Sequence, residues 1–225
     1  MKKKETKKQV KELVLTIAYP SRGVCDPAFA QALRNLQVPF PFTRYETNFV
    51  PGADVAVARN LLAEKSIGDY ILFLDDDVLP PMNALVKLFL DGKDIVTGLY
   101  FAKQEPHFPQ IFKKGGDKDH YDCVENYQKD SLFEVDACGG GCMLVKKSVF
   151  KKIRKPYFQY IAKGEDTPRK GEDFFFREKA KEAGFKIYCD SRVVCRHIGT
   201  KVIGPQHWEI SLEHLALIKE KLGLS

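Results

Sequence analysis

Residues 70–81 read YILFLDDDVLPP, a short apolar run that ends in three consecutive carboxylates before a Pro-Pro pair. An apolar run that contains Phe and Ile and follows Gly68 is typical of a strand buried on both faces of a parallel sheet. Asp75, Asp76 and Asp77 repel one another and are costly to bury unless a cation neutralises them. Ligands of open α/β sheets bind at the carboxyl ends of the strands. The segment therefore predicts a divalent cation with oxygen ligands, beside an anionic group such as a diphosphate.

Strands and helices alternate on both sides of this segment. The predicted elements before it are a buried strand at 13–18, a helix from Asp26-Pro27 to about 37, a short strand at 42–46 and a helix to 65 capped by Asp54. After it, the Pro-Pro pair starts a helix over 84–90 that ends at Asp91-Gly92, and 95–101 form another strand. This order favours an α/β fold with a doubly wound, mostly parallel central sheet and helices on both faces.

The second half of the chain has weaker periodicity. The predicted elements are a long loop or small hairpin insert at 103–131, strands at 133–136 and 142–145, a short helix capped by Ser148, a polar loop at 163–170, a helix from Gly171 to about 183, strands at 185–189 and 193–197, and a helix at 208–221.

The predicted domain organisation has one main unit. We expect a basic flexible tail at 1–12, a single domain at 13–200, and a C-terminal lid and helix at 201–225. The single domain divides into two halves, 13–101 and 102–200.

Composition and charge narrow the function classes. The 225 residues, 44% hydrophobic and 29% charged, are typical of a soluble globular protein. No apolar run approaches the roughly 20 residues that span a bilayer, and the lysine-rich start lacks an apolar signal segment, so we expect a cytoplasmic protein without a transmembrane segment. The net charge of +6 is partly concentrated in that start. It predicts at most weak contact with an anionic membrane surface, and no nucleic-acid motif is present.

Three motifs in this order resemble glycosyltransferases of the nucleotide-sugar-binding GT-A fold, in the style of glycosyltransferase family 2. The strand that ends in Asp75-Asp76-Asp77 is similar to the DxD motif of that family. Gly171-Glu172-Asp173 at a predicted helix start resembles its xED element, and His197 at the end of a later strand matches a second metal ligand. The resemblance covers roughly residues 13–200 and implies transfer of a sugar from a nucleoside-diphosphate sugar to a hydroxyl group. It implies that 13–200 form a catalytic domain, with a nucleotide-binding half at 13–101 and an acceptor and catalytic half at 102–200.

This reaction needs a cation beside the leaving diphosphate, and Mn²⁺ or Mg²⁺ can act there as a Lewis acid. Asp77 is the candidate direct ligand, with His197 joining it from the other half of the sheet. An imidazole ligand favours Mn²⁺ over Mg²⁺. The resemblance implies that Asp75 or Asp76 binds the donor ribose or approaches the metal through water, and it does not separate these two roles.

The reaction also needs a general base that takes the proton of the acceptor hydroxyl. Asp173 is the candidate base, and Glu172 is the candidate for orienting the acceptor. Acids in the first turn of a helix are also favoured by the helix dipole alone, so the motif carries weight only together with the upstream triplet. A base opposite the leaving group implies inversion at the anomeric carbon, although retaining relatives share this fold.

Donor and acceptor contacts are implied by the resemblance. The candidate donor contacts are Ala18, Tyr19 and Pro20 after the first strand, Glu46 after the second, and Arg59 on the helix before the acidic strand. Gly140 and Gly141 allow close approach of a sugar, and Trp208 either stacks on a sugar ring or anchors the last helix in the core. The expected donor is of the UDP or GDP type, and the acceptor is a hydroxyl of a glycan, lipid or protein.

Two other functions stay open at this point. Asp75–Leu79 also resembles the DxDx[TV] pattern of haloacid-dehalogenase-type phosphatases, with Leu79 in place of the final Thr or Val. In such an enzyme Asp75 would be the nucleophile and Mg²⁺ the metal. Against this, the corresponding strand is normally the first element of the phosphatase fold, whereas two β-α units precede it in this chain. A nucleotide-sugar-binding module without turnover is the non-enzymatic alternative.

Overall fold

The computed structural model describes residues 11–116, 120–163, 167–199 and 202–222. The described residues exclude nearly all of the predicted basic tail and the middle of the 163–170 loop. They also exclude Lys201, the first residue of the predicted lid.

Strands and helices alternate through the first half, and strands predominate later. The strands are β1 (Leu13–Ser21), β2 (Phe42–Pro51), β3 (Tyr70–Leu74), β4 (Val78–Leu79), β5 (Ile95–Leu99), β6 (Ile111–Lys114), β7 (Tyr121–Cys123), β8 (Leu132–Val135), β9 (Ala137–Cys138), β10 (Cys142–Lys146), β11 (Ile161–Lys163), β12 (Thr167–Lys170), β13 (Ile187–Val194), β14 (Arg196–Ile198) and β15 (Val202–Ile203). The helices are α1 (Pro27–Asn35), α2 (Val55–Lys65), α3 (Ala84–Leu90), α4 (Lys147–Lys152), α5 (Glu172–Glu182) and α6 (Pro205–Leu222).

The central sheet has seven strands in the order β2-β1-β3-β10-β5-β13-β8. β1 is parallel to β2 and β3, and β13 is parallel to β5. β10 is antiparallel to both β3 and β5, and β8 is antiparallel to β13. Five of the seven strands therefore run in one direction, which confirms the mostly parallel sheet. The insertion of β10 between β3 and β5 was not predicted, because strand pairing over such a distance has no local signal.

Helices cover both faces of this sheet. One core cluster joins apolar residues of α2, α4, α5 and α6 to one face, and includes Leu62, Phe150 and Phe176. The other cluster joins α1 and α3 to the opposite face through residues such as Phe29 and Leu85. β3, the acid-tipped strand, contributes to both clusters, with Phe73 in the first and Leu72 and Leu74 in the second. The doubly wound architecture and the buried character of this strand are thus as predicted.

Local capping signals locate most helix starts. The Asp26 carboxylate accepts a hydrogen bond from the Ala28 amide at 2.7 Å, and Asp54 caps α2 in the same way. α5 begins at Glu172, directly after Gly171. Ser148 does not cap the short helix, which already begins at Lys147, so that prediction was wrong by about two residues.

The 103–131 insert contains a β-hairpin, in which β6 pairs with β7. β6 also pairs with β9, so the insert is attached to the strand that precedes the triple glycine. Among the described residues, no helix has the length and apolarity required to cross a membrane.

Candidate active site

A cavity of about 350 Å³ lies at the carboxyl edge of the sheet, where the acidic triplet follows β3. Its walls come from the end of β1 at Pro20–Arg22, from Gly52, Ala53 and Val55 at the start of α2, and from Asp75–Asp77. Three predicted donor contacts, Pro20, Asp75 and Asp76, line this cavity. The structure therefore places the triplet at the edge of the sheet where a ligand was expected.

Asp77 meets His197 in this region. β14 pairs with β4 so that His197 lies opposite Val78, and its Nε2 is 3.3 Å from Asp77 Oδ1. His197 Nδ1 lies 2.8 Å from the carbonyl oxygen of Phe101. Because a carbonyl only accepts, Nδ1 carries a hydrogen. Nε2 donates to Asp77 when the ring is protonated, and it would offer its lone pair to a metal when the ring is neutral. A histidine held in this way by a backbone carbonyl is a typical metal ligand.

Two basic side chains also reach Asp77. Lys103 Nζ forms an ion pair with Oδ2, and Arg22 Nη2 lies 3.9 Å from the same oxygen. Burial by itself raises the pKa of the Asp77 carboxyl, but the hydrogen bonds and charges of His197 and Lys103 outweigh it and lower the pKa to about 2. Asp77 is therefore ionised at neutral pH and able to bind a cation.

Asp76 holds the loop after β1. Its Oδ2 accepts a hydrogen bond from the backbone amide of Arg22 at 2.9 Å, and its Oδ1 lies 3.2 Å from Arg22 Nε. Asp76 is almost fully buried. The middle acid of the triplet thus fixes one wall of the cavity.

Asp75 belongs to a different network, centred on Arg59. Arg59 is only 2% exposed, and its guanidinium pairs with Asp75 Oδ1 at 2.5 Å and with Glu172 Oε1. Burial alone lowers the pKa of Arg59, but Asp75 and Glu172 raise it above its usual value. Arg59 was predicted to contact the donor, and Glu172 to orient the acceptor. The structure instead pairs these two side chains with each other, linking the acidic strand to the start of α5.

Asp173, the candidate base, is 19% exposed and lies one residue beyond this network. Its Oδ1 accepts a hydrogen bond from the Phe174 amide at 2.8 Å, and its Oδ2 lies 3.7 Å from Arg177 Nη1. Arg177 is fully buried and donates from Nε to the Cys138 sulfur at 3.1 Å. Arg177 thus places a positive charge beside the Asp173 carboxylate, at the start of α5.

The triple glycine packs against side chains of the site. A Cβ added to Gly139 would overlap the Tyr100 hydroxyl, and one added to Gly140 would lie 2.6 Å from Arg59 Cζ. The Tyr100 hydroxyl accepts a hydrogen bond from the Gly141 amide at 3.2 Å. The lack of side chains at Gly140 and Gly141 is thus explained by close packing within the protein, and their contact with a sugar stays a prediction.

Four predicted contacts do not line this cavity. Ala18 is fully buried, and Tyr19 lines a separate cavity against α1. Glu46 was predicted to follow the second strand, but β2 continues to Pro51, and Glu46 instead accepts a hydrogen bond from Thr16 Oγ1 at 2.7 Å. Trp208 is 3% exposed and its ring packs on Phe108 at 5.3 Å between centroids. This position supports the core interpretation of Trp208 and leaves little of the ring for a sugar.

The predicted metal ligands are therefore brought together only in part. Asp77 and His197 converge with suitable oxygen and nitrogen donors, and they fit Mn²⁺ as a partial ligand set. Asp75, the third predicted ligand, is turned to Arg59. Within the described ranges, no group of three or more His, Cys, Asp or Glu side chains is arranged to hold a metal. The remaining positions in such a site would be filled by water and by the oxygens of a ligand.

Sequence analysis missed four side chains of the site: Arg22, Tyr100, Lys103 and Arg177. Each contacts a predicted residue or the triple glycine. Only Arg177 carried a sequence signal, because it lies one helical turn after Asp173 on the same face of α5.

Comparison with known proteins supports the resemblance. A sequence model of glycosyl transferase family 2 matches residues 51–154, which include the acidic triplet and the triple glycine. No curated protein sequence matches the chain. The resemblance to this family, inferred above from three motifs, is confirmed for this part of the chain.

Two solved structures share the fold. The crystal structure of A197 from STIV has a TM-score of 0.60 at 23% identity, and the match covers 86% of this chain and 91% of A197. The crystal structure of GalNAc-T7 with UDP, GalNAc and Mn²⁺ has a TM-score of 0.58 at 12% identity, and the match covers 85% of this chain. The chain spans 45% of the GalNAc-T7 chain, so the likeness concerns one part of that protein. These matches confirm the GT-A-type fold.

Proposed function

We propose that this protein is a metal-dependent glycosyltransferase that moves a sugar from a nucleoside-diphosphate sugar to an acceptor hydroxyl with inversion. One observation carries the proposal. Asp77 and the lone-pair nitrogen of His197 converge at 3.3 Å, in the acidic triplet that lines the cavity at the carboxyl edge of a GT-A-type sheet. The likeness to glycosyl transferase family 2 supports the same conclusion.

The donor diphosphate fits at the inner end of this cavity. Asp77 and His197 would hold Mn²⁺ or Mg²⁺, which supplies positive charge to the leaving diphosphate when bound. Val55, the first residue of α2, lines the cavity, and the positive end of the helix dipole favours an anion there. Asp76 holds Arg22, and with it this wall of the cavity, in place. The nucleotide would lie between the ends of β1 and β3.

Asp173 is the proposed base. It would accept the proton of the acceptor hydroxyl while that oxygen attacks the anomeric carbon opposite the diphosphate, which inverts the configuration. Arg177 lies beside the Asp173 carboxylate, and Glu172 fixes the start of α5 through Arg59. Glu172 is therefore proposed as a positioning residue, which replaces the acceptor-orienting role predicted from the sequence.

The proposed partners are a donor of the UDP or GDP type and an acceptor hydroxyl of a glycan, lipid or protein. The structure of GalNAc-T7, a protein with this fold, contains UDP and Mn²⁺ and supports this donor class. The cytoplasmic location expected from the sequence is also part of the proposal.

Calorimetric titration tests the proposal directly. UDP-, GDP-, CMP- and dTDP-sugars are each titrated into the protein with Mn²⁺ and with EDTA. We expect one donor to bind only with Mn²⁺, and Asp77→Asn to abolish that binding, whereas Asp122→Asn at an exposed position should not. Failure of all four donors to bind would refute the proposal. Binding without release of the nucleoside diphosphate in the presence of candidate acceptors would favour a module without turnover.

A further inference from the structure

Lys103 lies at the start of a short loop that is fixed at its base. Ala102 donates its amide hydrogen to the Phe108 carbonyl at 2.9 Å, and Gln110 donates to the Tyr100 carbonyl at 2.9 Å. Within the loop, the His107 amide donates to the Gln104 carbonyl at 2.8 Å. The backbone at Lys103 is therefore anchored, and movement of its charge is left to the flexible side chain.

The same segment orients the histidine of the metal site. The carbonyl of Phe101, two residues before Lys103, accepts the Nδ1 hydrogen of His197, and the next carbonyl, of Ala102, contacts His107 Nδ1 at 2.9 Å. One stretch of chain thus fixes the direction of a candidate metal ligand and delivers an ammonium group to the same site.

The two oxygens of Asp77 have different partners. His197 Nε2 faces Oδ1 at 3.3 Å, whereas Lys103 Nζ pairs with Oδ2. The Lys103 side chain is 33% exposed, while that of Asp77 is 15% exposed, so the lysine is the more solvent-accessible member of the pair. A divalent ion held by Asp77 and His197 would lie within a few ångströms of this ammonium and be repelled by it.

We propose that Lys103 is an exchangeable counter-ion: it neutralises Asp77 before metal binds, and moves to the diphosphate of the donor once metal occupies the site. The inference rests on the proposed function and adds a positioning residue for the leaving group. Lysine suits this exchange because its ammonium is a compact charge on a four-carbon stem, with no fixed geometry to satisfy.

The exchange predicts opposite effects in two binding measurements on Lys103→Met. Mn²⁺ alone, followed by the loss of the free-ion EPR signal, should bind on the order of tenfold more tightly than to the wild type, because the competing charge is gone. UDP and GDP, titrated at saturating Mn²⁺, should bind on the order of tenfold more weakly, because a charge-assisted contact to phosphate is lost. A variant that merely damages the site would weaken both.

Two control variants separate this effect from net charge and from misfolding. Lys114→Met removes the same charge at an exposed position of β6 and should change neither affinity. Lys103→Arg keeps the charge and should bind Mn²⁺ as weakly as the wild type. All variants are first compared by thermal unfolding, and Lys103→Gln replaces Lys103→Met if the latter does not fold.

The outcomes distinguish the inference from the proposed function. Wild-type protein that binds neither Mn²⁺ nor a nucleotide would overturn both. Metal-dependent nucleotide binding in the wild type, with unchanged or weaker Mn²⁺ binding in Lys103→Met, would overturn the exchange and leave the glycosyltransferase proposal standing. Tighter Mn²⁺ binding without loss of nucleotide affinity would also overturn the inference, because Lys103 would then never reach the diphosphate.

Discussion

Replacement of Arg59 by methionine tests the network that joins the acidic strand to α5. Arg59 is 2% exposed and pairs with Asp75 and with Glu172. Methionine is about as long and flexible as the arginine stem, so it fills much of the space but removes the charge. The variant would leave two carboxylates facing an apolar side chain.

The expected loss follows from the burial of the two acids. Removing one partner of a buried ion pair costs about 3–5 kcal/mol, because the other charge stays buried without compensation. Asp75 is 28% exposed and can be hydrated, whereas the Glu172 side chain is 10% exposed. We therefore expect the lower end of that range, about 3 kcal/mol in the free energy of unfolding at pH 7.5.

The loss should depend on pH, with a definite sign. In the wild type, burial and the charges of Asp173 and Asp75 already raise the pKa of Glu172, and Arg59 opposes them. Without Arg59 the pKa rises further, so the folded variant holds a proton that the unfolded chain has released. Stability of the variant therefore falls as pH rises, and the difference from wild type should be smaller at pH 5 than at pH 7.5, because Glu172 takes up a proton as the pH falls.

Urea unfolding followed by far-UV circular dichroism at pH 5 and pH 7.5 measures both effects. Arg34→Met, in the last turn of α1, is the matched control and should cost less than about 0.5 kcal/mol. The double variant Arg59→Met/Glu172→Gln should recover part of the loss, since it leaves one fewer buried charge. A loss below about 1 kcal/mol at pH 7.5, or one independent of pH, would refute the reasoning.

Three further predictions concern single positions. Asp173→Asn should keep Mn²⁺-dependent donor binding but lower sugar transfer by about 10²–10⁴-fold, measured as nucleoside diphosphate released with acceptor; transfer at the wild-type rate would eliminate Asp173 as the base. Gly140→Ala places a Cβ 2.6 Å from Arg59 Cζ, so the unfolding temperature should drop clearly, whereas Gly116→Ala, with open space around it, should have little effect. Burial and Asp190 raise the pKa of Asp91 to about 6. The wild type should thus lose about 2 kcal/mol of stability between pH 4 and 7. Asp91→Asn should lack this loss. Equal pH profiles of the two proteins would contradict the raised pKa of Asp91.

Much of the fold was predictable from local sequence. The buried strand at Tyr70–Leu74, the helix caps at Asp26 and Asp54, and the helix start at Gly171 rest on patterns within a few residues, and the structure has each of them. The likeness of the triplet to a DxD motif, together with Gly171-Glu172-Asp173 and His197 in the same order, predicted the GT-A-type fold, which the solved structures confirm.

The end of β2 illustrates a local prediction that failed. The segment after Glu46 contains no strong break before Pro51, and parallel pairing with β1 extends the strand to that point. Glu46 therefore lies within the sheet beside Thr16, away from the predicted donor site. Pairing with a neighbouring strand, rather than intrinsic propensity, decided where this strand ends.

The sequence by itself determined the kinds of chemistry at the site: three carboxylates at the end of a buried strand, a histidine after a later strand, and a glutamate and aspartate at a helix start. Only the tertiary structure decided which charges meet. Arg59 pairs with Glu172 from 113 residues away, and Lys103 reaches Asp77 across 26. Helix and strand signals depend on neighbours within about four residues. Ion-pair partners depend instead on the order of the strands within the sheet. That order, including the insertion of β10 beside β3, is a property of the whole chain's packing, and it placed Arg59 in a buried network with Asp75 and Glu172.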